Sequence, residues 1–111
     1  MKISELCRVL DADIQAEGDP EIDIATVTAG DLLSFVMGAA PVGAVWVTIQ
    51  IHLNVAAVAV LKELPMIIIA SGRKPAPDLV ARCEEEKICV VSVKETIFAV
   101  CAKLAGLGMK E

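Results

Sequence analysis

Aromatic side chains are scarce in this chain: Phe35, Trp46 and Phe98 are the only ones, although hydrophobic residues make up 56% of the 111 positions. The core must therefore be filled by Val, Ile, Leu and Ala, which suits strands buried on both faces of a parallel sheet, because such strands read as continuous apolar runs. Histidine occurs once, and Cys7, Cys83, Cys89 and Cys101 contain no C-x-x-C pair. That removes zinc ribbons, thioredoxin-like redox sites and any metal centre built on two imidazoles. No G-x-x-x-x-G-K-[ST], G-x-G-x-x-G or H-E-x-x-H string occurs. The chain thus lacks the phosphate cradle, the dinucleotide fingerprint and the zinc-protease helix that those motifs build. Basic residues are also few, 10 against 15 acidic ones, for a net charge of -5. The electropositive footprint of a nucleic-acid binder is missing.

Charge of either sign disappears altogether between Asp31 and Lys62. A single helix of that length could span a bilayer, but Gly38, Pro41 and Gly43 interrupt it early, and Gln50, His52 and Asn54 fall in its second half. A buried helix, a turn, a buried strand and a second helix buried on all sides is the expectation, with no membrane span. With no signal peptide visible at Met1, the four thiols are expected to be reduced and half-buried in a cytoplasmic protein.

What is present reads as alternating elements. Ile3, Leu6, Cys7 and Leu10 share one helical face, with Ser4 as the expected N-cap. Gly18-Asp19-Pro20 marks a turn, and Ile22, Ile24 and Val27 suggest a strand ending near Thr28. A short helix from Leu32 to about Gly38 follows, with Asp31 at its positive end. Strands are predicted at Ala44–Thr48, Met66–Ala70 and Ile88–Val91, and Ile14–Ala16 as an extra edge strand. Between them come a helix at Leu53–Leu61, stopped by Pro65, and a charged, solvent-facing helix begun by Pro77 and marked by Arg82, Glu84, Glu85, Glu86 and Lys87. Ile97, Val100, Cys101 and Leu104 give the stripe of a last helix, closed by Gly106 and Gly108. Such alternation with short connections predicts a three-layer α/β/α domain over residues 1–111, with a mostly parallel sheet of four or five strands.

Ligands of open parallel sheets bind beyond the carboxyl ends of the strands. The assignment places Thr28, Gly30 and Asp31 there, then Thr48, Gln50 and His52, then Ser71, Gly72 and Arg73, and finally Ser92 and Lys94. Each has a plain structural alternative. Asp31 could orient a ligand or simply sit at a helix N-terminus, and His52 could be a general base or a hydrogen-bonding residue at a helix start. Ser71-Gly72-Arg73 could meet an anion or form an exposed turn.

Three segments carry a resemblance: Val27-Thr28-Ala29-Gly30-Asp31-Leu32-Leu33, Trp46-Val47-Thr48-Ile49-Gln50-Ile51-His52-Leu53-Asn54-Val55 and Ile67-Ile68-Ile69-Ala70-Ser71-Gly72-Arg73-Lys74-Pro75. Together they resemble the stand-alone DRTGG-domain proteins, which are similar to the N-terminal domain of HPr kinase/phosphorylase. The Asp-Arg-Thr-Gly-Gly string itself is absent, since Gly30-Asp31 runs into Leu32-Leu33 and Gly72-Arg73 into Lys74-Pro75. The resemblance implies a regulatory or interaction module of three-layer α/β/α fold with a tendency to form homo-oligomers. The expected function is non-catalytic, with no cofactor: binding of a small metabolite or a partner protein at the strand-end edge. Two rival readings remain open: a scaffold subunit of a redox enzyme complex, and a small enzyme using His52 with Asp31 or Lys94.

Overall fold

A computed structural model of the chain describes residues 1–111 throughout. Five helices and five strands follow one another as α1 (Ile3–Val9), β1 (Asp13–Ala16), β2 (Val27–Ala29), α2 (Leu33–Ala39), β3 (Val45–Thr48), α3 (Asn54–Leu61), β4 (Met66–Ile69), α4 (Pro77–Glu85), β5 (Cys89–Ser92) and α5 (Ile97–Gly106). The strands form one sheet in the order β1-β5-β4-β3-β2. β2 to β5 are parallel neighbours in sequence order, and β1 closes the far edge antiparallel to β5. The α/β class, the mostly parallel sheet and the extra edge strand all match the sequence expectation.

The period-2 alternation of each strand divides the interior in two. Val45, Val47, Met66, Ile68, Cys89 and Val91 face α1 and α5, where Ile3, Leu6, Val100 and Leu104 meet them. Trp46, Ile67, Ile69 and Val90 face α2, α3 and α4, where Val36, Val55, Ala59, Leu79 and Cys83 pack. Every residue of β3, β4 and β5 is buried. Short apolar runs are what a strand covered by helices on both faces requires, and aliphatic side chains fill both layers with only Trp46 adding a ring.

Several local expectations are corrected. Lys2, not Ser4, is the N-cap of α1, and Glu5 Oε1 takes its backbone N–H at 3.1 Å. The strand foreseen from Ile22 shrinks to Val27–Ala29, because Ile22 and Ile24 pair instead with the N-terminus: Ile3 N donates to Ile22 O and Ile24 N to Met1 O. Helix α3 is not buried all round. Val55, Ala56, Val58 and Ala59 face the core, whereas Leu53, Ala57 and Leu61 face outward. From Val55 to Leu61 every residue is apolar, which hid the side that was covered, since no polar stripe marked the outer one. Finally, Cys83 and Cys89 are wholly buried, and only Cys7 and Cys101 are half-buried; all four are free thiols.

No helix is long and apolar enough to cross a membrane. The uncharged segment instead supplies α2, β3 and α3.

Candidate functional site

The carboxyl ends of the four parallel strands lie along one edge, and hydrogen bonds tie most of the predicted residues there into a chain. Asp31 immediately precedes Leu32, the N-cap of α2. Its carboxylate does not serve that helix. Oδ1 accepts from Thr48 Oγ1 and from Ile49 N, both at 2.9 Å, while its backbone O takes Gln50 Nε2 at 2.8 Å. Gln50 N in turn donates to Thr48 Oγ1 at 3.1 Å. Thr48 is fully buried, so its hydroxyl needs these partners. The result is a clasp between the ends of β2 and β3, secured from below by Trp46 Nε1 donating to Gly30 O at 2.9 Å. The expectation of Asp31 as a helix-end charge is thereby corrected: its carboxylate is taken by the buried Thr48 hydroxyl and the part-buried Ile49 amide just beyond β3.

The chain of contacts continues across the sheet. Arg73 Nη1 donates to Ile49 O at 2.6 Å, and Ser92 Oγ donates to Arg73 O at 3.1 Å. Ser71 and Gly72 both have positive φ, +61° and +69°, as in a type I′ turn. Their amides point at the next loop, Ser71 N to Glu95 O and Gly72 N to Val93 O. Two predicted residues stay outside. Thr28 forms no side-chain hydrogen bond, and the exposed imidazole of His52 forms none either; only its backbone O is used, by Val55 N. The structure does not join His52 to Asp31, whose Oδ1 is committed to Thr48 and Ile49.

The topology adds something the residue list lacked. α2, α3 and α4 all cover one face of the sheet, whereas α5 returns on the other. The loops leaving β4 and β5 therefore part in opposite directions, the geometry that opens a ligand crevice in parallel sheets. A cavity of about 350 Å³ lies there, lined by Asp11, Asp13, Gly72, Lys74, Ser92, Val93, Lys94 and Glu95. Of the residues singled out by position, Gly72, Ser92 and Lys94 line it. Lys74 enters through an ion pair to Asp13 Oδ2 at 2.9 Å, and that ammonium, by hydrogen bond and charge, holds the Asp13 carboxyl below its ordinary value. Glu95 faces Lys103 Nζ at 3.6 Å. Lys94 has no ion-pair partner. Sequence reasoning missed Asp11 and Asp13, because β1 reaches the crevice only through its antiparallel pairing with β5, and it missed Lys74 and Glu95, each one residue beyond the loop positions it singled out.

A larger groove, about 690 Å³, lies at the opposite edge of the sheet, lined by residues of the Gly18–Pro20 turn, the end of α3 and the loop before β5. None of the predicted site residues touches it. No cluster of three or more His, Cys, Asp or Glu side chains suited to a metal ion is present.

With this geometry in place, comparison with known proteins is informative at the level of structure. The chain is similar to the CBS and DRTGG domains of the regulatory region of Clostridium perfringens pyrophosphatase, solved with its activator diadenosine tetraphosphate. The TM-score is 0.75 at 12% identity, over 93% of this chain and 45% of that one. The fold is shared with a regulatory region. At this identity the likeness concerns the fold, and this chain spans a little under half of the structure it matches. No protein-family model matches the sequence, and no curated protein does.

The thiols make a separate chemical prediction. Cys7 packs against the layer that contains Cys89. The neighbouring Cys89 thiol holds Cys7 below its ordinary value, and Cys89 is pushed well up by Cys7 and by burial. Burial raises Cys101 and pushes Cys83 up to about 11. Thiolate is the reactive form, so brief iodoacetamide treatment of the folded protein is expected to label Cys7 first and Cys101 more slowly, sparing Cys83 and Cys89. Peptide mapping by mass spectrometry reads the order; early labelling of Cys83 would contradict the packing.

Proposed function

We propose that residues 1–111 form one regulatory ligand-binding domain that takes an anionic small metabolite in the crevice between the ends of β4 and β5, without turning it over. The observation that carries this reading is the crevice itself. It sits where α4 and α5 depart to opposite faces of the sheet; of its charged lining Asp13 is paired with Lys74 and Glu95 with Lys103, which leaves Asp11 and the ammonium of Lys94 without an ion-pair partner beside the hydroxyl of Ser92. The amino end of α5, capped by Thr96 through Ala99 N, adds a positive dipole behind Lys94. The clasp of Gly30, Asp31, Thr48 and Gln50 then acts as scaffold rather than contact: it fixes the strand ends, and Arg73 passes that order to the Ser71-Gly72 turn. Phosphorylated nucleotides are the class to test first, since the structurally similar regulatory region was solved with diadenosine tetraphosphate as activator.

A thermal-shift and calorimetric titration against diadenosine tetraphosphate, mononucleotides and acyl phosphates tests the reading. Binding to the folded state stabilises it by about 2.7 kcal/mol at a ligand concentration of 100 Kd, so a saturable rise in Tm is expected with at least one compound, with no product formed. Lys94→Glu is expected to weaken that ligand at least tenfold. Lys87→Glu, on the groove at the opposite edge, is expected to leave it unchanged. If no compound shifts Tm, or if the two variants behave alike, the crevice is not the site.

A further inference from the structure

The edge of the sheet away from the crevice is shaped by the loops at the amino ends of the parallel strands. Its groove of about 690 Å³ has an apolar floor that includes Ile22, Val60, Leu64 and Ile88. A second hollow of about 530 Å³ adjoins it through Gly18 and Lys87 and reaches along Ile14 and Gln15 of β1. Joined through these shared residues, the two exceed the roughly 300–1,000 Å³ of a pocket that encloses a small molecule. They form one open trough. Its lining holds five acidic side chains, Glu17, Asp19, Glu63, Glu84 and Glu86, against a single base, Lys87, and so carries -4 of the chain's net charge of -5. All five carboxylates are exposed, and only Glu86 has an ion-pair partner, Arg82. Helices α3 and α4 both end here, with Lys62 and Glu86 as their C-caps, so the negative ends of two helix dipoles add to the same sign. The field of the trough selects a cationic partner.

The backbone of β1 adds an independent feature. β1 is the outer strand of the sheet and its main chain bonds to β5 alone, so its other side is unpaired. Ile14, half exposed, stands on this strand where it lines the trough. An unpaired strand edge is a template for one class of molecule, an extended polypeptide, which meets the free N–H and C=O groups in register. Small cations and helices carry no such ladder. The irregular register between Ile14 and Ala16 confines the pairing to a short segment, which keeps the edge from serving as a general template for aggregation.

We propose that the trough docks a basic, extended segment of a partner protein, which adds to the outer edge of β1. Side chains alternate along such a strand. One set lies on the apolar floor, and Lys or Arg side chains of the other reach the carboxylates of the rim. Charge and backbone select the occupant together: the acidic rim rejects an acidic segment, and the open edge of β1 rejects a cation that is not a peptide. Because the rim is exposed, its charges govern the association rate and the choice of partner, and the floor and the strand pairing hold the segment in place. The crevice between β4 and β5 shares no lining residue with the trough, so it stays open when the segment is bound.

Calorimetric titration and amide chemical-shift mapping of the full chain with an end-blocked peptide of alternating arginine and valine, six residues long, test the proposal. Saturable binding is expected, with shifts at 14–20, 60–65 and 84–88 and none at the crevice positions 92–95. The same peptide with glutamate in place of arginine should not bind. Glu63→Lys/Glu84→Lys should weaken the basic peptide about tenfold, and Lys87→Glu should tighten it about twofold; circular dichroism checks that the variants fold. N-methylation of every second peptide residue removes the donors along one side of a strand, so it should weaken binding in one of its two phases only. Spermidine, a cation without a peptide backbone, should bind at least about tenfold more weakly than the peptide. No binding, shifts away from the trough, an acidic peptide that binds as well, indifference to N-methylation in both phases, or spermidine matching the peptide would each overturn the proposal. None of these outcomes involves Lys94, so the ligand proposal is tested separately.

Discussion

Replacing Gly18 by alanine is expected to destabilise the fold by about 2–5 kcal/mol, combining the left-handed penalty of a Cβ with an overpacking cost. Gly18 has φ +64°, and a Cβ built there would stand 2.5 Å from the backbone N of Cys89 and 2.9 Å from its Cα. Neither atom can move aside, because Cys89 opens β5 and its N–H donates to Pro65 O. Gly72 has nearly the same dihedral, φ +69°, but open space around it, so Gly72→Ala isolates the dihedral penalty at about 1–2 kcal/mol. Denaturant melts of the two variants separate the terms. Equal losses would mean that the close approach of the turn to β5 is not a constraint. At about 4–8 °C per kcal/mol for a domain near this size, the Gly18 variant should melt roughly 8–40 °C lower, and the loss is a large part of the usual stability of a small domain.

The second large effect is expected at Asp31. Two hydrogen bonds end on one carboxylate oxygen, one of them from a fully buried threonine. Asp31→Ala leaves both donors without their acceptor, and charged acceptors contribute about 1.5–3 kcal/mol each. A combined loss of roughly 2–4 kcal/mol follows, allowing for partial solvation. Asp31→Asn keeps an oxygen acceptor and should recover about half of it. Asp78, in the first turn of α4, provides the contrast: a carboxylate acting only on the helix dipole contributes about 0.3–1 kcal/mol. Urea titration of Asp31→Ala, Asp31→Asn and Asp78→Ala measures all three. A loss at Asp31 no greater than at Asp78 would mean that the clasp between β2 and β3 does not form. Because this side chain holds the scaffold, its alanine variant is a poor probe of ligand contact; Lys94 is the cleaner one.

The two residues also show where reading a sequence stops. Gly18-Asp19-Pro20 was legible as a turn from composition, yet the reason position 18 must be glycine lies seventy-one residues further on, at Cys89. Asp31 was legible as a polar residue at the start of a helix, and its actual partners, Thr48 and Ile49, come from the next parallel strand. In both cases a local pattern was correct about the backbone and silent about the partner.

The elements themselves were written in the chain. Short β-branched runs bounded by turn residues, such as Met66–Ile69 between Pro65 and Ser71-Gly72, favour strands covered on both sides, Pro77 and the charges after it mark a surface helix, and short connections favour parallel crossovers. Those are local consequences of side-chain shape and solvation, so composition and period suffice to find them. The sequence also placed Gly30, Asp31, Thr48, Gln50, Ser71, Gly72 and Arg73 on one edge, because in a parallel sheet every strand ends on the same side. What it did not decide was which part of that edge opens. That depends on α4 and α5 leaving the sheet toward opposite faces, and on β1 folding back beside β5 to bring Asp11 and Asp13 to Lys74 and Lys94. Nor did it decide which side of α3 stays uncovered, since the apolar run from Val55 to Leu61 carries no mark of its outer face. Both outcomes are set by how whole elements pack against one another, over separations at which a local pattern holds no information.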